Sequence, residues 1–223
     1  MDYGFHNCYN LKGLVIPSTS SSGTIHLLDS LFNSCYGLKY VALPNQTTFY
    51  GTRIFYNCHH LRKISIPEGT PNATTIPNYS FYQCYNLHSI NIPSNITNIG
   101  SYAFANCYGL NFIKFYSQTP PTLADGYAFY NLPTNCVIFV PGDTLATIRD
   151  YYDGTNYPNR DNYKYIGYAT FASGATLPTL DSGLTQAVWY ATKEEAINNS
   201  GTALSTGNGH EIYCHVIPLD DEL

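Results

Sequence analysis

The chain has 223 residues, ten Lys or Arg against fifteen Asp or Glu, and a net charge of −5. Only 11% of its residues are charged, against about 25% in an average soluble domain, so Asn, Ser, Thr and Tyr must carry its solubility. Without a run of Lys or Arg a phosphate-tracking surface is excluded and nucleic acid drops out as a partner; no stretch approaches the roughly 18 to 20 apolar residues that span a bilayer, so membrane insertion drops out too.

From Phe5 the chain repeats one phrase: Phe, two residues, Cys, two residues, Leu, then β-favouring apolar residues. The copies are FHNCYNLKGLVIP from Phe5, FNSCYGLKYVALP from Phe32, FYNCHHLRKISIP from Phe55, FYQCYNLHSINIP from Phe81 and FANCYGLNFIKF from Phe104. A degraded sixth copy starts at Phe129, with Leu132 in the cysteine slot. Steps of 27, 23, 26, 23 and 25 residues from Phe to Phe match the period of a leucine-rich-repeat solenoid.

Each copy ends in a short strand. In Leu61-Arg62-Lys63-Ile64-Ser65-Ile66-Pro67 the alternation turns Ile64 and Ile66 inward and leaves Lys63 and Ser65 outside. So short a strand cannot hide its apolar side alone, which predicts that neighbouring copies stack around a shared core. Linkers such as PSNITNIGSYAF from Pro93 supply the opposite wall through Ile96, Ile99 and a Gly turn. The convex side is expected to be mostly irregular or short-helical.

The cysteines at 8, 35, 58, 84 and 107 hold one slot, which predicts a ladder of small buried hydrophobes rather than disulfides. Cys136 and Cys214 fall outside it, and with seven cysteines at least one thiol is unpaired in a monomer. One thiol per coil gives no tetrahedral cluster, so neither metal nor other cofactor is expected.

Two rows are candidate binding surfaces. The residue after each cysteine is Tyr9, Tyr36, His59, Tyr85 or Tyr108: one planar ring per coil, expected to repeat at about 5 Å and able to stack on sugar rings or on a partner's apolar edge. The alternative is a ladder that only shields the turn. The second row is the outward strand face: Tyr40 and Ala42, Lys63 and Ser65, Ser89 and Asn91, Phe112 and Lys114.

From Ala169 the composition shifts to Gly, Ser, Thr and Leu. Two strand-like runs, Gln186 to Thr192 and Glu211 to Pro218, flank a loop with Asn199-Ser200-Gly201 and Gly207-Asn208-Gly209, which predicts a small β-rich module. The expected domains are therefore a solenoid of about six coils over 1–168 and this module over 169–223. His210-Glu211-Ile212-Tyr213-Cys214-His215 does not make a zinc-protease motif, because its histidines stand five apart in a β-rich run and face opposite ways. No nucleophile elbow, phosphate loop or dinucleotide fingerprint occurs, so the chain is not expected to be an enzyme.

The IP after the strand, and Ile-Gly before Ala-Phe in TNIGSYAFANC from Thr97, resemble the BspA-type (Treponema pallidum-type) leucine-rich repeats. VIFVPGDTLATIRDYY from Val137 resembles that family's closing coil, a Val-Pro strand followed by a short helix around Leu145 to Tyr152. The resemblance covers roughly residues 1 to 168, and copies depart from it in places: Thr52-Arg53-Ile54-Phe55 lacks the Ala before Phe. It implies a binding scaffold without a catalytic motif, of the kind found as adhesins on bacterial surfaces, on some protozoan surfaces and in phages as host-contact modules.

The expected function is recognition or adhesion, with a protein or glycan of a host or neighbouring cell held by the concave sheet and the aromatic row. The alternative is a virion component, a tail or capsid fibre that binds a receptor or other virion subunits. The chain opens inside a repeat with no signal sequence or polar cap. It is therefore either a fragment of an exported, surface-displayed protein, or a native start covered by another subunit or an incomplete cap, as on a virion surface. The closing Asp220-Asp221-Glu222-Leu223 only faintly resembles a retention tetrapeptide, and five Asn-x-Ser/Thr sites are expected by chance in so Asn- and Thr-rich a chain.

Overall fold

The computed structural model describes residues 4–18, 23–68, 73–142, 164–177 and 186–217. The helix expected around Leu145 to Tyr152 and the C-terminal tetrapeptide lie outside them.

Each repeat phrase folds into one tight corner followed by one strand. The strands are β1 (Gly13–Val15), β3 (Tyr40–Ala42), β5 (Lys63–Ile64), β7 (Ser89–Ile92), β9 (Phe112–Phe115) and β11 (Val137–Pro141). They run parallel: β1, β3 and β5 form one sheet, and β7, β9 and β11 begin a second. On the opposite wall the chain passes through β2 (Ile25–Leu27) and β4 (Thr47–Phe49), which pair with each other, and through β6 (Thr75–Ile76), β8 (Asn98–Ile99) and β10 (Thr122–Leu123), which form a third parallel sheet. The described convex side is thus built of turns and very short strands, and the chain is a parallel β-solenoid of the leucine-rich-repeat kind.

The core is a set of ladders. Rings of Phe5, Phe32, Phe55, Phe81, Phe104 and Phe129 stack from coil to coil with centroids 5.1–5.4 Å apart, near the spacing of paired strands. Beside them the cysteines are buried and unpaired; only Cys8, in the first coil, is half-buried. Four buried thiols of the ladder each donate to the carbonyl of the preceding coil's Phe: Cys35 to Phe5, Cys58 to Phe32, Cys84 to Phe55 and Cys107 to Phe81, at 2.9–3.3 Å. The slot therefore selects a residue small enough to fit beside the Phe column and still able to satisfy an inward carbonyl. Cys136, though displaced by sequence, is also buried and close enough to Cys107 to influence its titration.

Every described corner carries a left-handed residue, and four of them carry a second, at Ser30, Arg53, Tyr79 and Tyr102. Two positions after Phe stand Asn7, Ser34, Asn57, Gln83, Asn106 and Asn131, all at φ near +60°. That conformation turns the amide toward the next coil: Asn7, Ser34, Asn57, Gln83 and Asn106 donate to the carbonyls of Asn33, Tyr56, Tyr82, Ala105 and Tyr130 at 2.7–3.0 Å. Asn dominates the slot because its short polar side chain tolerates this region best after Gly.

The C-terminal segment extends the same sheet. Strand β12 (Lys164–Thr170) pairs parallel with β11, and β14 (Glu211–Ile217) and β13 (Gln186–Tyr190) then add antiparallel, giving the order β13-β14-β12-β11-β9-β7. The boundary expected between 168 and 169 falls within β12. Between β13 and β14 the stretch read as loop contains helix α1 (Lys193–Asn198), whose Thr192 and Glu195 form a reciprocal capping box. Around it a second apolar cluster of Val137, Phe139, Ile166, Tyr168, Tyr190 and Ala196 covers the outward face of the last parallel strands. Among the described residues no helix is long and apolar enough to cross a membrane.

Candidate binding face

The predicted aromatic row exists. Tyr9, Tyr36, His59, Tyr85 and Tyr108 stack in sequence with centroids 5.1, 4.8, 4.5 and 5.3 Å apart and planes within 20° of parallel. The corner fixes each ring at the same place in its coil, and the coil spacing matches ring-stacking distance. Such contacts contribute about 0.5–1.5 kcal/mol per pair. Tyr9, Tyr36 and Tyr108 remain exposed, while His59 and Tyr85 are half-buried between neighbours. Burial pushes the His59 imidazole down, helped by His60, and burial and then Tyr108 push the Tyr85 phenol up.

The outward strand row divides into two parts. Tyr40, Lys63, Ser65, Ser89 and Asn91 are exposed, with the Tyr40 ring lying over Gly13, where any Cβ would collide with it. Phe112 and Lys114 are engaged by the C-terminal segment. The Lys114 ammonium pairs with Glu211 at 3.1 Å and sits 3.8 Å from the ring centre of Tyr168; Phe112 stacks at 6.2 Å on Phe139, with Lys193 over its ring at 5.9 Å. Glu211, the carboxylate of the rejected zinc motif, thus faces Lys114, while His215 Nδ1 lies 2.8 Å from the Ala196 carbonyl.

Between the two parts the face is hollow. A cavity of about 370 Å³ is lined by Lys63, Ser65, Glu68, Ser89, Asn91 and Tyr116, among others. It lies where no ladder pair joins β5 to β7, so two coils stand side by side without closing the sheet. A second cavity, of about 290 Å³, lies beyond Tyr116 against Gln118, Tyr168, Thr170 and Glu211. Burial, then the Glu211 and Glu68 carboxylates, raise the phenol of Tyr116.

Sequence reasoning missed another aromatic bank. Tyr79, Tyr102 and Tyr127, two residues before Phe, stack at 5.1 and 5.0 Å, with Arg53 over Tyr79 at 5.0 Å. Tyr56 and Tyr82, one residue after Phe, stack at 4.9 Å, and Tyr130 meets Tyr127 edge-on. Tyr79 and Tyr102 hold φ of 58° and 54°, a conformation uncommon for so bulky a residue. Reading the columns flanking Phe, rather than only the one after Cys, shows the recurrence in the sequence.

A model of the BspA type leucine rich repeat region matches residues 1–135 in six copies. Among solved structures, the T. pallidum leucine rich repeat protein is 21% identical over 58% of this chain and 59% of its own, with a TM-score of 0.51. A leucine rich cell surface protein from Faecalibacterium prausnitzii A2-165 is also 21% identical, over 62% of this chain and 56% of its own, with a TM-score of 0.30. The chain thus spans less than two thirds of either. No curated protein matches it. The six matched copies, the Phe and Cys ladders they build and the parallel strand each copy contributes make this chain a member of the BspA-type leucine-rich-repeat family.

Proposed function

We propose that the chain is a non-catalytic recognition module that binds a protein or glycan of a host or neighbouring cell, displayed outside the cell that makes it. The observation that carries this reading is the stacked, partly exposed row of Tyr9, Tyr36, His59, Tyr85 and Tyr108. Five pre-ordered rings offer contact area with little rotamer entropy left to lose, which is why tyrosine is enriched on recognition surfaces. The exposed polar side chains of Lys63, Ser65, Ser89 and Asn91 supply hydrogen-bonding groups on the strand face.

The Tyr36→Ala and Tyr85→Ala variants test it, each assayed for binding to intact host cells beside a thermal melt. Retained cooperative melting with lost cell binding is the expected result. A variant that unfolds marks the row as structural and removes the main support of the reading.

The seven unpaired thiols favour a second reading, a virion component made and assembled in a reducing cytoplasm. A stable trimer by light scattering, or docking to a tail or capsid protein, would support it; a strict monomer that binds host cells would count against it.

A further inference from the structure

We propose that the cavity between β5 and β7, together with its neighbour beyond Tyr116, binds a short neutral oligosaccharide, one sugar unit on either side of the Tyr116 ring. The inference rests on the recognition reading above and names its ligand class and site.

The two cavities share Tyr116 as a common wall; the residue is 41% exposed, and with the Lys114 ammonium 5.4 Å from its ring centre on one side it can carry the C–H face of a pyranose. Lys63, Ser65, Ser89 and Asn91 line the larger cavity and make no side-chain hydrogen bond or ion pair with another described residue. They offer two hydroxyls, an amide and an ammonium, a mixture of donors and acceptors that matches vicinal sugar hydroxyls, which both donate and accept.

Shape and charge narrow the choice. The volumes, about 370 and 290 Å³, suit compact units rather than an extended protein surface. A protein hot spot needs an apolar slot for an aromatic or Arg anchor. Here Ile64 and Ile66 are buried in the core, and the apolar lining that remains, Leu43, Pro67 and Pro93, is outnumbered by polar side chains. An anionic ligand fits poorly. The Lys63 ammonium is opposed by Glu68 in the same cavity, and the Lys114 ammonium is already paired with Glu211 beside the other.

The position follows from the fold. The aromatic residues of the outward row, Tyr40 and Phe112, stand in the coils on either side, while the coils that meet at the broken ladder carry Lys63, Ser65, Ser89 and Asn91. A row without rings where the sheet opens leaves room that aromatic neighbours would fill.

The test is binding of the intact chain to a printed array of neutral, sialylated and sulfated oligosaccharides, followed by titration with the strongest neutral hit. Two variants run beside it: Ser89→Leu with Asn91→Leu, which fills the cavity, and Tyr116→Ala, which removes the shared wall. A far-UV circular dichroism melt, which reads the entire sheet, reports that each is folded. The proposal expects neutral glycans to bind and both variants to weaken them by about tenfold or more. Binding unaffected by either variant, or confined to sialylated or sulfated glycans, overturns it. If no glycan binds but a host surface protein does, and Tyr36→Ala abolishes that, the oligosaccharide site is wrong and the recognition reading survives. If nothing binds at all, both fall.

Discussion

At the residue scale the most constrained groups are the thiols. Burial holds Cys58 and Cys84 well above the ordinary thiol range, Cys35 is raised to about 11, and Cys107, Cys136 and Cys214 to about 12. Below pH 9 a thiol is protonated in both folded and unfolded chains, so its stabilising effect is fully present. Above that, the unfolded chain releases its protons first, and stability falls until the folded values near 11 to 12 are passed. The slope is about 1.4 kcal/mol per pH unit for each such thiol. We predict that the guanidinium midpoint drops steeply above pH 9, and that maleimide at pH 7 labels at most Cys8 in the folded chain but all seven thiols after unfolding. Rapid labelling of Cys58 or Cys84 in the native protein would contradict the ladder. The sequence made this register legible because one residue type recurs in one slot. Tyr79 and Tyr102 were not legible in the same way, since Ser30 and Arg53 interrupt their column after Tyr3 and the left-handed backbone that presents them is foreign to tyrosine.

At the scale of the element, a coil is defined by how closely its corner meets the next. At Gly51 an added Cβ would collide with the backbone nitrogen of Asp29 and the carbonyl carbon of Leu28, where Gly51 also donates to Leu27 at 2.9 Å. Both obstacles are backbone, so neither can rotate away. Gly51→Ala is expected to cost about 1–3 kcal/mol by forcing two coils apart. A denaturant titration showing no loss would mean that the coils slide freely. The inward strands were readable from alternation, as in Lys63 to Ile66. The second wall was readable only as buried residues, because β8 is two residues long and no periodicity can be seen in so short a run. Helix α1 carried its signal in Thr192 and Glu195, three apart, but Asn199, Ser200 and Gly201 directly after it give the segment the composition of a loop.

For the whole molecule the decisive feature is β12, which belongs to the solenoid through β11 and to the C-terminal segment through β14. The composition change near Ala169 marks where the sheet turns antiparallel, a change of pairing partner that residue types do not encode. Because the two parts share a strand and the cluster around Phe139 and Tyr190, they are expected to melt together. Trp189 fluorescence reports the C-terminal segment and far-UV circular dichroism the entire sheet, so their transitions should coincide; separated midpoints would make residues 169–223 an independent unit. The cavity at the β5–β7 gap was illegible for a similar reason, since Ser65, Ser89 and Asn91 look like any solvated strand face until the ladder is seen to break. The central claim is that this solenoid presents a pre-ordered aromatic face to a partner. Its most direct test is binding of the intact chain to arrayed glycans and host surface proteins, beside a variant with Tyr9, Tyr36, Tyr85 and Tyr108 all changed to Ser. Saturable binding that disappears in the still-folded variant is the predicted result; binding of equal strength by both chains, or by neither, would contradict it.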